Sequence, residues 1–420
     1  MSAAASTPQF VSPAIRGIIR RYYTVWLGYS FANGFLFGVY PLFLRSRGLN
    51  QFEMNSVLAT YFVVTFLTDV PTGAFADALG RRRSFILGCT LRASAFLLYF
   101  FAHHYLLFLL GESIDGVGTT FCNGAIDAWG VDSLDNAGFA GLKDRLFSRI
   151  SQLTNLGFMA SAVIGAYVAD LNIAWPWLLG TAGYIGSALM SARLMDEPDR
   201  HGTRIEMNRI SALVSRRVSD GLRQGIASRS LVLLSLANAI FFAAWAPYWL
   251  QWPQYVHDSF HSRIWIVGWV FSLFTVARML GAEAIMHLRM DEGSRGTRLG
   301  LLIIAAAAML FGAGAAGNRA YLVLIVLTAM NVCNGAMQPL MQGWLNEQIR
   351  GDERATLLSF NSTFATAGGS VGLLVNGTIA DARGIATAWQ FSAILSLAAL
   401  PCYWVLRAHT PEPAPDLTQA

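Results

Sequence analysis

The chain has 420 residues, of which 54% are hydrophobic and 13% are charged, and its formal net charge is +5. Soluble proteins carry about 25% charged residues, so this composition and a mean hydropathy of +0.45 exclude a water-soluble globular protein. The apolar residues form runs of about 20 residues, which suffices for a helix to cross about 30 Å of hydrocarbon. The alternating runs of about ten residues that build a β-barrel are missing. The sequence therefore predicts an all-α polytopic membrane protein.

About twelve transmembrane helices are predicted along the chain. The limits in the first half are 22–44, 53–76, 84–103, 105–132, 147–170 and 174–194. Those in the second half are 231–251, 264–288, 298–316, 320–346, 355–380 and 386–407. We predict two six-helix bundles related by pseudo-two-fold symmetry, over 1–195 and 230–420, joined by a basic cytoplasmic linker over 196–229. The linker is predicted to be either an amphipathic surface helix over Ile205–Leu222 or a solvated connector.

The distribution of basic residues predicts the orientation. Most of the 30 Lys and Arg residues fall in segments on the same side of the membrane as the N-terminus. The positive-inside rule then predicts that both termini lie in the cytoplasm. This bias accounts for the basic pI of 9.1, so we predict the lipid bilayer and no nucleic acid as a partner. The excess of arginine over lysine favours a GC-rich bacterial genome, so we predict the bacterial cytoplasmic (inner) membrane as the location. The N-terminal segment lacks the apolar core of a cleavable signal, and the first span is the predicted targeting signal.

The loop Gly73–Arg83, with the sequence GAFADALGRRR, connects the second and third spans. Its distinctive residues are two glycines that allow a tight turn, one acid that can cap a helix or meet a cation, and a cluster of arginines: Gly73, Gly80, Asp77, Arg81, Arg82 and Arg83. A degraded copy of this pattern follows the eighth span at 281–298. Matching loops at matching places predict that the two halves are parallel repeats.

These residues closely resemble the loop signature of the major facilitator superfamily, G-x-x-x-D-x-x-G-R-R/K-R/K. The resemblance implies two six-helix bundles around a central cavity that work by alternating access. It also implies that Asp77 and Arg81 help to latch the outward-facing state, with Asp132 at the end of the fourth span as the candidate acidic partner. The alternative is that Arg81–Arg83 only anchor the topology. Glu112 stands where drug–proton antiporters of the superfamily often carry an arginine, which argues against a standard drug antiporter.

Ionisable groups inside the spans are functional candidates, because each costs about 2.5–3.5 kcal/mol to insert. They are Asp69, Arg92, Glu112, Asp115, Asp127, Arg278 and Glu283. We predict that Asp69, Arg92 and Asp127 lie at one depth as a charge-paired network. Glu112 and Asp115 have no obvious basic partner, so we predict that they bind a proton or a cationic substrate, with a paired structural role as the alternative.

Polar and aromatic residues suggest the wall of a substrate cavity. The candidates are Asn33, Tyr40, Asn238, Trp245, Asn331, Asn334, Gln338 and Gln342. The last four step by three and four residues and therefore share one helical face. The alternative is that these carboxamides hold helices together.

Sequence motifs distinguish a transporter from an ATP-driven pump or a metalloenzyme. The single lysine, Lys143, lies in no phosphate-binding loop, and no metalloenzyme motif is present, so we predict no enzyme activity, metal or cofactor. The four cysteines lie in apolar runs without metal-ligand spacing. We predict a monomeric secondary transporter that exports a small organic molecule in exchange for protons. A proton-coupled uptake symporter and a non-transporting receptor or accessory protein are the alternatives.

Overall fold

The structure is a computed structural model that describes residues 12–139, 143–196, 229–261, 263–287, 295–317, 319–348 and 354–408. These residues form helices only: α1 (Pro13–Gly34), α2 (Tyr40–Ser46), α3 (Gln51–Leu79), α4 (Arg81–Phe101), α5 (Tyr105–Asn136), α6 (Lys143–Leu171), α7 (Trp175–Leu194), α8 (Arg229–Ser259), α9 (Ile264–His287), α10 (Arg295–Ala315), α11 (Ala320–Gln348), α12 (Arg354–Leu397) and α13 (Leu400–Ala408). The predicted all-α fold class is therefore confirmed.

The predicted spans correspond to these helices once two breaks are taken into account. The first span is divided into α1 and α2, because Gly38 has a φ of 87° between them. The last two predicted spans correspond to α12 and α13, and α12 is interrupted at Gly384 by a φ of 85° and a ψ of 163°. Within the described residues, eight helical segments are long and apolar enough to cross a membrane by length and composition.

The described chain falls into two compact units. Unit 1 contains 12–196 and Trp252–Ser272, and unit 2 contains 229–251 and the described residues from Leu273 onward. In unit 1, α4 packs against α5 and α7, α3 packs against α5, and α1 packs against α6 and α7. In unit 2, α10 packs against α11, α12 and α13. The predicted linker at 196–229 lies almost wholly outside the described residues, and its boundaries stay a prediction.

The junction between α3 and α4 is shorter than the predicted loop. Gly73 is part of α3, and Gly80 alone separates the two helices. Gly80 has a φ of 102° and a ψ of 149°, a backbone conformation that side chains with a Cβ disfavour. The expectation that Gly73 turns the chain was therefore wrong, because only Gly80 adopts a non-helical conformation there.

Helices α4 and α5 form a close hairpin around the short turn Ala102–His104. Small residues line the contact, since a Cβ added at Gly118 would lie 2.9 Å from the Gly88 carbonyl oxygen and 2.7 Å from Cγ of Arg92. Two backbones can approach this closely only where neither helix carries a side chain at the contact. The missing side chain at Gly118 therefore fixes the distance between the helices that carry the buried charges described below.

We expect Gly118→Ala to lower the melting temperature of the detergent-purified protein, because the new methyl group forces α4 and α5 apart. Gly124→Ala is the matched control, since Gly124 also lies in α5 and a Cβ there meets nothing within 4 Å. Alanine exceeds glycine in helix propensity by about 1 kcal/mol, so the control variant should melt at the same or a higher temperature. A melting temperature that rises equally in both variants would contradict the close packing at Gly118.

Candidate functional site

The centre of unit 1 is an ion pair between Arg92 of α4 and Asp115 of α5. Nε of Arg92 lies 2.8 Å from Oδ1 of Asp115, and Nη2 lies 3.0 Å from Oδ2, so the guanidinium binds the carboxylate through both oxygens. Arg92 is 3% exposed and Asp115 is 6% exposed. A two-point Arg–carboxylate contact is the strongest geometry for such a pair, and it compensates both charges inside the bundle.

Arg92 donates two further hydrogen bonds to α1, and its guanidinium also contacts α7. Nη1 donates to the Tyr29 hydroxyl at 2.6 Å, and Nη2 also donates to Oδ1 of Asn33 at 3.1 Å. The Tyr184 hydroxyl donates to the same Asn33 oxygen at 3.1 Å, and the Tyr184 ring lies 4.5 Å from the guanidinium carbon. The guanidinium thus joins α1, α4, α5 and α7 in one polar cluster, and Asn33 serves this cluster.

Glu112 lies one turn before Asp115 on α5 and has different partners. It is 7% exposed and accepts a hydrogen bond from the Tyr99 hydroxyl. The Tyr40 hydroxyl lies 3.4 Å from that of Tyr99, and the Tyr99 ring stacks on Trp177 with a centroid distance of 4.1 Å. Glu112 is therefore bound by a chain of neutral phenols, whereas Asp115 is bound by a cation.

The predicted network of Asp69, Arg92 and Asp127 was wrong, because Arg92 pairs with Asp115. The same contact overturns the expectation that Asp115 has no basic partner. The physical reason is the register of the hairpin, in which residues at equal distances along the chain from the turn lie at equal depth. Arg92 and Asp115 are nearly equidistant from Ala102–His104, whereas Asp127 lies much farther from the turn.

Asp127 and Asp69 occupy separate positions. Asp127 is exposed and accepts hydrogen bonds from the Tyr22 hydroxyl at 2.7 Å and from Nε1 of Trp26 at 2.8 Å. Asp69 lies on α3 with an exposed side chain. These two acids therefore belong to neither the Arg92 cluster nor the Glu112 group.

The residues of the signature lie at the junction of α3 and α4. An Nη2 atom of Arg81 is 2.6 Å from Asp77, and Nε of Arg81 is 3.7 Å from Asp132 at the end of α5. Arg82 donates to the carbonyl oxygen of Ala192 on α7, and Arg83 is exposed. Arg81 thus lies between two carboxylates from different helices, as the resemblance implies.

The cavity candidates of unit 2 are divided between buried and exposed positions. Asn238 donates to Asn361 at 2.8 Å, which fits the alternative that carboxamides join helices. Asn331 is buried and donates to the Tyr248 hydroxyl at 3.2 Å, and Trp245 is buried beside Tyr248 with a centroid distance of 6.2 Å. Asn334 is partly buried, whereas Gln338 and Gln342 are exposed.

Sequence reasoning missed the tyrosines that complete the cluster in unit 1. Tyr29, Tyr99 and Tyr184 contact the buried charged residues or their partners. Tyr99 lies on α4, which is one helix of the hairpin, and Tyr184 lies on α7, which packs against α4. The register of the hairpin could have identified Tyr99, because Tyr99 lies on α4 close to the turn and Glu112 lies on the facing part of α5. Tyr29 and Tyr184 come from α1 and α7, and no local pattern indicates that they meet Arg92.

Comparison with known proteins identifies the family. A family model described as the Major Facilitator Superfamily matches residues 25–246 and, a second time, residues 234–420. The chain therefore belongs to the Major Facilitator Superfamily, as its loop signature predicts, and it is a multi-pass membrane protein. The second match agrees with the predicted repeat of the two halves.

The similarity to individual proteins is low. The chain is 23% identical over 166 residues to Multidrug resistance protein 2 of Bacillus subtilis, and 21% identical over 170 residues to the Quinolone resistance protein NorA of Staphylococcus aureus. These alignments cover 39% and 40% of this chain and 40% and 43% of the relatives, so they span less than half of each relative's length. A crystallised mutant of the nucleoside transporter NupG matches with a TM-score of 0.76 and 13% identity over 93% of this chain and 99% of that chain. That likeness shows the fold.

We expect Arg92→Gln to destabilise the protein strongly, because it leaves the Asp115 carboxylate buried without its cation. Breaking a buried pair from one side costs about 3–5 kcal/mol. The double variant Arg92→Gln with Asp115→Asn should recover much of that loss, since no uncompensated charge remains. Melting temperatures of the detergent-purified proteins measure both effects. A double variant that is no more stable than Arg92→Gln alone would show that the pairing of charges is not the cause.

Proposed function

We propose that the protein is a secondary active transporter that works by alternating access and exports a small organic molecule in exchange for protons. The proposal places it as a monomer in a bacterial cytoplasmic membrane, with both termini in the cytoplasm. Membership of the Major Facilitator Superfamily supports the transport class. The names of the relatives, which refer to resistance to quinolones and to several drugs, favour export of organic compounds.

The charge count of the buried cluster in unit 1 carries the proposal of proton coupling. The Arg92 cluster and the adjoining Glu112 group, taken together, contain one cation, Arg92, and two acids, Asp115 and Glu112, and all three are nearly fully buried. Asp115 is neutralised by the two-point contact with Arg92. A charged Glu112 would therefore leave the cluster with one negative charge, whereas a proton on Glu112 makes it neutral.

The surroundings of Glu112 suit a group that gains and loses a proton. An uncompensated charge in a medium of low dielectric constant is costly, so loss of the proton is tolerated only where other groups stabilise the carboxylate. The Tyr99 hydroxyl donates to Glu112, and Arg92 lies in the adjoining cluster, where it binds Asp115 one helical turn from Glu112. We therefore assign the coupling proton to Glu112 and a structural role to Asp115.

We expect Glu112→Gln to abolish the effect of a proton gradient on transport, because the amide cannot ionise. The assay uses proteoliposomes loaded with norfloxacin, a quinolone, and placed in a more acidic medium. The wild-type protein should release the drug faster with the gradient than without it. Glu112→Gln should release it at the gradient-free rate in both conditions.

Glu283→Gln is the matched control, since Glu283 is an exposed acid on α9 that contacts His287. This variant should keep the response to the gradient. A full response in Glu112→Gln would remove Glu112 from the coupling mechanism. Acceleration of norfloxacin entry from the acidic medium, with no acceleration of release, would contradict export and favour the uptake symporter.

We further propose that Arg81 latches one of the two access states by binding Asp77 and Asp132 together. The short distance to Asp77 and the longer one to Asp132 support this role, because the longer contact joins the α3–α4 junction to the end of α5 and can break when these elements move. Asp132 is 38% exposed in its side chain and Asp77 is 60% exposed. Each contact is therefore screened by water, and the latch is weak enough to open during transport.

We expect Asp132→Asn to shift the balance of the two states by up to about 1 kcal/mol, or about fivefold. The shift should change the initial rate of norfloxacin release by a similar factor without lowering the melting temperature. Asp135→Asn is the control, since Asp135 is an exposed acid on the same helix. Equal rates for the wild type and Asp132→Asn would leave Arg81 and its neighbours as topology anchors only.

A further inference from the structure

Unit 2 contains an arginine at membrane depth whose charge is not compensated in the way that Arg92 is compensated in unit 1. Arg278 lies near the middle of α9 and is partly buried. Its guanidinium carbon lies 4.5 Å from the centre of the Trp249 ring, and Nη2 donates to Oγ1 of Thr275 at 3.3 Å. Among the residues whose side chains the structure describes, no carboxylate forms an ion pair with Arg278.

The other acid on α9 does not serve as the counter-ion. Glu283 contacts Nε2 of His287 at 2.8 Å, and both of these side chains are largely exposed. Glu283 also follows Arg278 by more than one helical turn and therefore points to a different side of the helix. Arg278 thus keeps most of its N–H donors for a partner that the described residues do not provide, although an isolated cation in a membrane span is costly.

A second free donor lies beside this arginine. The oxygen of Tyr248 accepts a hydrogen bond from Nδ2 of Asn331 at 3.2 Å, so its own O–H proton remains available. Among the described residues that proton has no acceptor. The Tyr248 and Trp249 rings have centroids 6.0 Å apart, and the Arg278 guanidinium lies against the Trp249 ring, so both donors lie beside Trp249.

The wall around these donors is aromatic. Trp245 packs against Tyr248 and against Phe241, with centroid distances of 6.2 Å and 5.7 Å. The Trp389 and Tyr248 rings have centroids 6.1 Å apart. Guanidinium and phenol donors bind the planar carboxylate group well, and aromatic rings favour a flat apolar body beside it.

We propose that Arg278 and Tyr248 bind a carboxylate group of the transported molecule, so that the cargo is an aromatic organic acid or a zwitterion with such a group. The role of this site in transport rests on the proposed function, whereas binding of the carboxylate does not. Arg278 supplies the positive charge, and the Tyr248 hydroxyl donates a directed hydrogen bond. Asn331 orients that hydroxyl by donating to the Tyr248 oxygen.

The test compares three naphthalene compounds of similar shape: 1-naphthoate, the neutral 1-naphthamide and the cationic 1-naphthylmethylammonium. Binding to the full chain in nanodiscs is measured by equilibrium dialysis, with empty nanodiscs subtracted to remove partition into lipid. Because a charge-assisted contact is lost with the neutral compound, we expect wild-type protein to bind 1-naphthoate about tenfold more tightly than 1-naphthamide. The cationic compound should bind more weakly than either.

Variants separate recognition of the charge from folding. Arg278→Gln should remove the preference for 1-naphthoate and leave binding of 1-naphthamide unchanged, and Tyr248→Phe should reduce the preference. Arg278→Lys should retain part of it, because the charge remains but the two-point geometry is lost. Arg319→Gln is the matched control, since Arg319 is an exposed arginine of the same unit, and it should behave as the wild type.

Three results would overturn the proposal. The first is equal binding of 1-naphthoate and 1-naphthamide by the wild type. The second is an equal loss of both compounds in Arg278→Gln, which would make Arg278 structural. The third is displacement of 1-naphthoate when phosphatidylglycerol replaces phosphatidylcholine in the nanodiscs, which would assign Arg278 to a lipid phosphate.

The outcome is distinguishable from a failure of the proposed function. Dialysis in nanodiscs involves no proton gradient and no movement across a membrane, so selective carboxylate binding can be observed whether or not transport occurs. Selective binding together with a norfloxacin flux that ignores the gradient would refute proton coupling and keep the carboxylate site. Gradient-driven norfloxacin flux without selective binding of 1-naphthoate would refute the carboxylate site and keep proton coupling.

Discussion

The cost of an uncompensated charge inside a membrane governs the arrangement of unit 1. Arg92 and Asp115 can remain buried because each oxygen of the carboxylate faces one nitrogen of the guanidinium, at 2.8 Å and 3.0 Å. Tyr29 and Asn33 of α1 accept further hydrogen bonds from Arg92, and Tyr184 of α7 donates to Asn33, so α1 and α7 meet at the same point. The pair is weak evidence for stability by itself, but it specifies which helices pack together and at which depth.

The close approach of α4 and α5 is a condition for that pair. Gly88 and Gly118 leave no side chain between the two helices, and the added Cβ at Gly118 would meet the Arg92 side chain itself. A longer separation would place a gap between guanidinium and carboxylate, since the Asp115 side chain is too short to follow. Small residues in this hairpin therefore have an electrostatic consequence as well as a packing one.

Much of the fold follows from the sequence, because spans of apolar residues and the turns between them are local properties. The break at Gly38 could not be separated from its apolar run by hydropathy, whereas the break at Gly384 falls in the predicted gap between the spans 355–380 and 386–407. The junction at Gly80 was predicted as a loop, because the charges of Asp77 and Arg81 do not reveal that helix continues up to Leu79.

Much less of the site could be predicted. Glu112 and Asp115 were correctly recognised as buried acids. Their partners, Tyr99 for Glu112 and Arg92 for Asp115, lie on another helix and could not be assigned from the sequence of α5. Arg92 was assigned to the wrong depth, an error that the hairpin register corrects. The tyrosines of α1 and α7 join the cluster through tertiary contacts. No periodic pattern in the sequence around these tyrosines indicates such contacts.

An arginine inside a candidate membrane span has different partners in the two units: Arg92 is buried and Arg278 is partly buried. The free-energy cost of placing a cation inside a membrane is similar in both units. An arginine without a carboxylate partner is therefore stabilised when another group supplies a negative charge. In unit 1 that source is Asp115, and the site is complete within the chain. In unit 2 the described neighbours of Arg278 are an aromatic ring and a hydroxyl, which lower the cost but do not neutralise the charge. We therefore propose that the charged group of the cargo is recognised in unit 2, where the described residues give Arg278 no carboxylate partner, and that the proton is exchanged in unit 1.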